Sequence, residues 1–296
     1  MKGIDVSKHQ GNVNWSHVKA DGVKFAIIRA GYGKEISQKD QQFENNYVGC
    51  KSNSIPCGAY WYSYAMSEAE AKQEAAVCLK VIAGKTFEFP IYYDIEEKKQ
   101  FALGKAKCSA IAKAFLETLE NAGYWVGIYS SKSYLQSHFT DEVKTKYAVW
   151  LAHYGVAKSD YSDQYGIWQK SSTGKVYGIT GNVDINECYF DYPTAIKKAG
   201  RNGFWTSNIA SNVSKTASSL NPHGVASTSK IAAGYKIQLD HMELFASSDA
   251  KKRANILTGF YYVTDGKIIN GRFRISAKQN GAVTGWIDKK YTNETG

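Results

Sequence analysis

The sequence predicts an α/β protein: a trimmed (β/α)8-type barrel followed by a small all-β domain. Strand-like and helix-like segments alternate over residues 1–200, which is typical of parallel strands joined by crossover helices. Residues 206–230 are rich in Ser, Asn, Ala and Thr without periodicity, which indicates a linker. From residue 231 onward the pattern is all-β. We therefore predict domains over residues 1–200 and 231–296, with a linker over 201–230.

Eight strand-like segments precede residue 190, and eight is the number that closes such a barrel. They cover residues 3–6, 24–30, 57–64, 90–96, 125–130, 147–153, 165–169 and 182–185. Helical patterns cover residues 67–83 and 105–121, with weaker ones at 38–51 and 191–199. The connections at 131–145 and 157–164 are short for full helices. An open, doubly wound sheet is the alternative arrangement.

Carboxylates recur where these strands end. Asp5 ends the first strand, Asp94 and Glu96 the fourth, and Asp184 the eighth. In a barrel of this class the C-terminal strand ends share one rim, so these acids are expected to meet. Carboxyls held close together raise each other's pKa, and glycoside hydrolysis uses one protonated and one ionised carboxyl. Taken alone, Asp94 and Glu96 also fit a strand that runs into a solvated loop.

Aromatic residues fall at the same strand ends. Tyr62, Tyr129, Trp150 and Tyr154 are candidates for stacking on a sugar, although such rings also build cores. Glu97 is expected on the opposite face of its strand, at the surface. His153 is a possible base, but its place opposite Trp150 and Tyr154 favours a structural role.

The remaining composition argues against several other functions. Five Cys residues at irregular spacing suggest reduced structural thiols rather than a disulfide framework, and a Cys nucleophile is a weaker alternative. The six His residues show no metal-binding spacing, so we predict neither a metal nor another cofactor. No apolar run is long enough for a membrane span, and no secretory signal is recognisable at the N-terminus.

The C-terminal segment combines short strands with basic charge. Strands are predicted at residues 235–239, 271–276 and 283–288, with a hairpin over 260–269 that turns at Asp265-Gly266. A small SH3-like barrel is expected. Residues 201–296 contain 13 Lys and Arg against 6 Asp and Glu, which suggests an anionic partner. The Lys251-Lys252-Arg253 cluster raises nucleic acid as a partner, but no nucleic-acid motif accompanies it.

The first domain resembles the glycoside hydrolase family 25 lysozymes, which are N-acetylmuramidases of phage endolysins and bacterial autolysins. The resemblance covers about residues 1–192 and rests on five motifs. They are Asp5-Val6-Ser7-Lys8-His9-Gln10-Gly11, Arg29-Ala30-Gly31-Tyr32-Gly33, Tyr93-Asp94-Ile95-Glu96, Trp150-Leu151-Ala152-His153-Tyr154 and Gly181-Asn182-Val183-Asp184-Ile185-Asn186. Residues 231–296 look more loosely like the SH3-like wall-binding domains of endolysins.

The resemblance implies cleavage of the β-1,4 bond between N-acetylmuramic acid and N-acetylglucosamine. Glu96 matches the family's general acid, Asp94 its charged neighbour, and Asp5 and Asp184 the two other acids. A protein nucleophile, the substrate's acetamido oxygen and an activated water all stay open as attacking groups. A non-catalytic glycan-binding protein is the alternative, although no acid of the motif is missing.

The resemblance also implies partners and a place of action. Peptidoglycan is the expected partner of both domains: a glycan strand in the barrel and a wall polymer on the second domain. No nucleic acid and no membrane insertion are expected. An endolysin of this kind is expected to be made in the host cytoplasm and to reach the wall by holin-type release.

Overall fold

A computed structural model describes residues 1–204, 236–252, 254–278 and 281–288 of the chain. The chain forms two compact units, Met1–Val213 and Ser214–Gly296. Residues 205–230 of the predicted linker lie outside the described residues, so the domain boundaries stay predictions.

The first unit is a closed barrel of eight strands in sequential order. The strands are β1 (Lys2–Val6), β2 (Phe25–Tyr32), β3 (Cys57–Tyr62), β4 (Ile91–Asp94), β5 (Val126–Ser131), β6 (Ala148–Ala152), β7 (Ile167–Gly174) and β8 (Val183–Cys188). This confirms the predicted barrel and rules out the open sheet.

The expectation of an all-parallel sheet is wrong at β8. Strands β1 to β7 pair in parallel, but β8 is antiparallel to both β7 and β1. The physical reason is the short β7–β8 connection at residues 175–182, because a parallel pair needs a crossover of about a dozen residues or more. The reversed strand still closes the barrel, and its first residues lie beside the C-terminal end of β1.

The helices lie in the connections between strands. They are α1 (Trp15–Ala20), α2 (Phe43–Ser52), α3 (Glu68–Ile82), α4 (Lys98–Phe101), α5 (Lys105–Asn121), α6 (Lys132–His138), α7 (Asp141–Lys146) and α8 (Tyr192–Lys198). Single turns of 3-10 helix cover Lys8–Gln10 and Ile36–Gln38.

Side chains of short polar residues set two of the helix starts. The Ser67 hydroxyl accepts a hydrogen bond from the backbone N–H of Glu70 at the start of α3, and the Asp191 carboxylate accepts one from Thr194 at the start of α8. Each satisfies a donor that has no partner within its helix.

Apolar side chains pack on both faces of the barrel wall. The outer layer packs the strands against the helices, as where the rings of Tyr93 and Phe115 stack at 3.9 Å. The inner layer fills the barrel with large rings, including Phe25, Tyr92 and Trp150. The lumen is narrow, since a side chain at Gly127 would bring its Cβ within 2.4 Å of the Tyr92 ring. A ligand therefore has room only at the barrel ends.

The second unit contains one four-stranded antiparallel sheet in the order β12-β11-β10-β9. Its strands are β9 (Lys236–Leu244), β10 (Asn255–Ile269), β11 (Arg272–Ser276) and β12 (Val283–Asp288). The backbones of Phe245 and Trp286 also bond to each other, which brings the two outer strands together. The all-β prediction is confirmed, and the SH3-like assignment stays a prediction.

The predicted hairpin turn at Asp265-Gly266 is wrong. These residues lie within the single strand β10, where the pairing register with β11 shifts between Val263 and Ile268. The turn is instead at Asn270 and Gly271, with φ values of 51° and 74°. Two successive residues with positive φ suit a tight hairpin, and the Asp-Gly pair forms a bulge instead.

Candidate active site

All four predicted carboxyls meet at the C-terminal rim of the barrel. Asp5 on β1 and Asp184 on β8 are paired neighbours across the two strands. Asp94 is the last residue of β4, and Glu96 lies two residues beyond it. The charges of Asp5, Glu96 and Asp184 each raise the pKa of at least one other member of the group.

Asp5 lies at the bottom of this group, 5% exposed. Its Oδ2 accepts hydrogen bonds from Gln169 Nε2 at 2.8 Å and from Asn186 Nδ2 at 2.7 Å. Two amides thus fix this carboxyl from the neighbouring strands β7 and β8.

Asp5 and Asp184 interact through their carboxyl groups, and this interaction lowers the pKa of Asp184 against the larger effect of burial. Burial and the charge of Asp184 raise the pKa of Asp5 well above its usual value. Burial also raises the pKa of Asp184. With both pKa values raised, protonation of this pair of carboxyls is favoured.

Asp94 and Glu96 differ in their access to solvent. Asp94 is 4% exposed and its Oδ1 has no hydrogen-bond partner among the described residues, whereas Glu96 is exposed. Burial, followed by the charge of Glu96, raises the pKa of Asp94 well above its usual value. Although Glu96 is exposed, the surrounding protein displaces part of the water around its carboxyl, and this desolvation, followed by the charges of Glu97 and Asp184, raises its pKa. An acidic proton at Glu96 is therefore favoured and can reach a ligand.

The role of Asp94 as the charged partner of Glu96 stays a prediction, and two opposing effects act on its charge. Burial disfavours an ionised Asp94, and the cation that opposes this effect is Arg29 on β2. Arg29 is itself paired, since its Nε donates to Asp40 Oδ2 at 2.7 Å. Arg29 thus offsets only part of the effect of burial, and the pKa of Asp94 stays raised.

Gln169 connects two of the predicted aromatic residues to the carboxyls. Its Oε1 accepts hydrogen bonds from the hydroxyls of Tyr129, at 2.8 Å, and Tyr154, while its Nε2 donates to Asp5. Tyr154 is 46% exposed, so its ring can contact a ligand. The predicted stacking role of Tyr154 thus agrees with its position.

Stacking on a sugar is wrong for Trp150 and Tyr129, which are 1% and 7% exposed. Their rings pack against each other at a centroid distance of 4.5 Å, too buried to offer a sugar a whole face. Trp150 instead donates from Nε1 to Asn186 Oδ1 at 2.8 Å. It thereby orients the amide that holds Asp5.

Tyr62 and Tyr64 form an aromatic edge on the other side of the rim. Their ring centroids are 5.1 Å apart, and Tyr64 is 51% exposed. The Tyr62 hydroxyl donates to Glu97 Oε1 at 2.7 Å. Glu97 therefore faces the site, contrary to expectation. The strand ends at Asp94, so the alternation of faces does not extend to Glu97.

Other reactive side chains stay outside this group. His153 bonds through Nδ1 to Ser159 Oγ at 2.9 Å and contacts none of the four carboxyls. All five cysteines are free and buried. Burial raises the pKa of Cys50, Cys78, Cys108 and Cys188, which makes a thiolate nucleophile there unfavourable.

Neither a metal-binding cluster nor a membrane span is found in the described part of the chain. No group of three or more His, Cys, Asp or Glu residues there is arranged to hold a metal ion. Among the same residues, no helix has both the length and the apolar character to cross a bilayer.

A cavity of about 750 Å³ lies at the opposite end of the barrel and shares no residue with the rim. Its charged groups are already paired: Lys144 with Asp163 at 2.6 Å and Lys146 with Glu120 at 3.1 Å. Arg201 donates to the backbone oxygens of Glu120 and Tyr124. We assign the site to the rim, because four carboxyls with raised pKa values converge there.

The sequence placed Gln169 and Tyr64 at strand ends and Arg29 and Asn186 in two of the five motifs, but it assigned none of the four a role in the site. Signals for two of them were present. Asn186 is two residues from Asp184 and so shares its face of β8, and Tyr64 continues the alternation of Tyr60 and Tyr62. The roles of Gln169 and Arg29 depend on which neighbours the closed barrel brings to them.

Residues 4–179 match the family model "Glycosyl hydrolases family 25". The chain belongs to this family. The match ends before β8, so the first seven strands of the barrel carry it, together with three of the four carboxyls.

Similar proteins agree with membership of family 25. The autolytic lysozyme of Clostridium acetobutylicum is 30% identical over 189 residues, which are 63% of this chain and 55% of that protein. This chain therefore spans just over half the length of that relative.

Solved structures show the same likeness. The CTP1L endolysin superposes with a TM-score of 0.58 at 27% identity, over 67% of this chain and 69% of that one. The modular autolysin LytC of Streptococcus pneumoniae, in complex with a synthetic peptidoglycan ligand, gives 0.57 at 28% identity. That match covers 64% of this chain and 46% of LytC. The resemblance to family 25 lysozymes is confirmed.

Proposed function

We propose that this protein is a lysozyme that hydrolyses the β-1,4 bond between N-acetylmuramic acid and N-acetylglucosamine in Gram-positive peptidoglycan. One observation carries the proposal. Glu96 is exposed at the rim, with its pKa raised, beside three further carboxyls. This arrangement suits an acid that must hold a proton until a glycosidic oxygen takes it.

In the first step Glu96 donates its proton to the glycosidic oxygen as the bond to the sugar's anomeric carbon breaks. Positive charge then develops on the sugar, and the neighbouring Asp94 stabilises that charge, either directly as a carboxylate or by orienting the 2-acetamido group. Asp94 is suited to this role because burial leaves its negative charge weakly screened.

Asp5 and Asp184 supply the remaining negative charge of the site. The amides of Gln169 and Asn186 fix the position of the Asp5 carboxyl. Preorganised charge of this kind lowers the barrier because the protein does not have to rearrange during the reaction.

The attacking group has three candidates: a protein carboxylate, the acetamido oxygen of the substrate and an activated water. Direct attack by water inverts the anomeric centre, whereas the two routes through an intermediate retain it. Product stereochemistry, followed by NMR immediately after mixing, separates the first class from the other two.

The names of the relatives support peptidoglycan as the substrate. One is an autolytic lysozyme, one an endolysin, and the autolysin LytC was solved with a synthetic peptidoglycan ligand. Tyr154 and Tyr64, both exposed at the rim, are suited to packing against successive sugars of such a strand.

We assign wall targeting to the second unit. Residues 201–296 carry most of the excess positive charge of the chain, and Lys251 and Lys252 are exposed. Anionic wall polymers are suitable ligands for such a surface.

The decisive experiment is digestion of purified peptidoglycan followed by reduction and sugar analysis. The proposal requires new reducing ends on muramic acid. Reducing ends on glucosamine, or new free amino groups, would mean that a different bond is cut. Binding without any new ends would make the barrel a glycan-binding module.

A further inference from the structure

Glu97 follows Glu96 directly in the chain and has no role in the function proposed so far. It lies beyond the end of β4, where the chain is no longer held by the regular ladder of the barrel. The Tyr62 hydroxyl on β3 reaches across to it and donates a hydrogen bond of 2.7 Å to Oε1. This contact connects the segment that carries the acid to the neighbouring strand.

We propose that Glu97 is a positioning residue for Glu96: its carboxylate, held by the Tyr62 hydroxyl, keeps the neighbouring acid in its proton-donating form. This inference rests on the proposed function, since it takes Glu96 as the proton donor. It assigns Glu97 no contact with the substrate.

The charges around Glu96 favour this role. After burial, Glu97 is the largest cause of the raised pKa of Glu96, ahead of Asp184. Glu96 also faces titratable groups on the surrounding strands and loops, and none of those found is a cation. They are Asp5, Tyr62, Asp94, Tyr129, Tyr154 and Asp184.

A hydrogen bond fixes the position of Glu97. The Tyr62 hydroxyl donates to its Oε1 over 2.7 Å, so the side chain is held at the rim directly beside the residue that carries the acid. Asp94 and Asp5 are buried, with pKa values raised well above usual, so they are poorer sources of negative charge for Glu96.

The test is the pH profile of kcat/KM for soluble peptidoglycan fragments, measured with the full chain. Glu97→Gln keeps the shape and an oxygen that can accept from Tyr62 but removes the charge. The general acid must be protonated, so its pKa sets the alkaline limb of the profile. We expect this limb to move to lower pH, with a loss of about threefold or more on the alkaline side and at most about twofold at the acid plateau.

Three further variants separate charge from structure. Glu97→Asp keeps the charge, so its limb should stay near that of the unmodified protein. Tyr62→Phe keeps Glu97 but removes the hydroxyl that holds it. The alkaline limb of this variant should move to lower pH, as for Glu97→Gln, but by a smaller amount. Glu142→Gln removes an equivalent charge on α7, paired with Lys113 outside the rim, and should leave the profile unchanged.

The outcomes decide between the two proposals. A Glu97→Gln profile that keeps its alkaline limb overturns the role of Glu97, even if overall activity falls. If Glu97→Gln does not fold, a limb unchanged in Tyr62→Phe overturns it instead. If the unmodified protein releases no reducing ends, the proposed function itself has failed. If Glu96→Gln stays active, Glu96 is not the proton donor, and the role of Glu97 falls with it.

Discussion

Asn186 connects Trp150 inside the barrel to Asp5 at its rim. The amide donates to Asp5 Oδ2 over 2.7 Å and accepts from Trp150 Nε1 over 2.8 Å. The Trp150 ring therefore orients the Asn186 amide, and this amide in turn orients the Asp5 carboxyl. Steady-state kinetics can therefore distinguish a positioning role of Trp150, which affects kcat, from a stacking role, which affects KM.

Trp150→Phe should lower kcat and leave KM nearly unchanged. The substitution keeps an aromatic ring but removes the donor, so Asn186 loses one of the two bonds that fix it. The unsatisfied buried amide oxygen should also lower the free energy of unfolding by about 1–3 kcal/mol. Denaturant unfolding and steady-state kinetics measure the two effects. A higher KM with unchanged kcat would restore the stacking role.

Tyr64→Ala and Tyr154→Ala should each raise KM by about threefold to tenfold, the loss expected for one aromatic contact. Both rings are about half exposed at the rim. Tyr177→Ala is the matched control, because Tyr177 is 60% exposed and stacks on His17 instead. An equal rise in KM for the control variant would show that the effect is not specific to the cleft.

Glu96→Gln should lower the rate of lysis by about a hundredfold or more, because it removes the proton donor and keeps the shape of the side chain. Binding to purified walls should be unchanged, as measured by co-sedimentation. The clearing of a cell-wall suspension gives the rate. Lysis near the original rate would disprove the assignment of Glu96.

Asp94→Asn should raise the melting temperature at neutral pH. Burial raises the pKa of Asp94, so the folded protein binds this proton more tightly than the unfolded chain does. The stability that the group contributes is therefore complete below the usual carboxyl range and is lost as pH rises through the folded pKa. The advantage of the Asn variant should disappear at low pH, where Asp94 is protonated in both states.

Asp40→Asn is the contrasting variant for this measurement. The Asp40 side chain is fully buried but paired with Arg29, so the substitution leaves a buried cation without its partner. We expect a destabilisation of about 3–5 kcal/mol at neutral pH. Thermal unfolding scans across pH measure both variants. A destabilised Asp94→Asn protein at neutral pH would contradict the burial argument.

A chain that ends at residue 204 should keep its activity on soluble fragments but bind whole walls less than the full chain does. The charge excess of the C-terminal residues is the reason, so the difference should shrink as salt rises. Co-sedimentation at low and high salt measures it. Equal wall binding by both chains would remove the targeting role.

The sequence by itself determined the barrel and the four carboxyls. Alternating strand and helix patterns depend on local sequence. In a barrel the C-terminal strand ends lie on one rim, so the close approach of Asp5, Asp94, Glu96 and Asp184 was predictable. The start of α3 at Ser67 was equally local, since a capping side chain acts within its own turn.

Only the tertiary structure decided how each side chain is used. Sequence patterns do not reveal burial by distant residues, and that burial turned Trp150 from a stacking platform into a support for Asn186. Strand length decided the position of Glu97. Because β4 ends at Asp94, the residues after it no longer alternate between the two faces of the strand. Strand direction changed at β8 because the connection from β7 is short. The raised pKa values of the carboxyls likewise depend on solvent exclusion and neighbouring charges, which exist only once the barrel has closed.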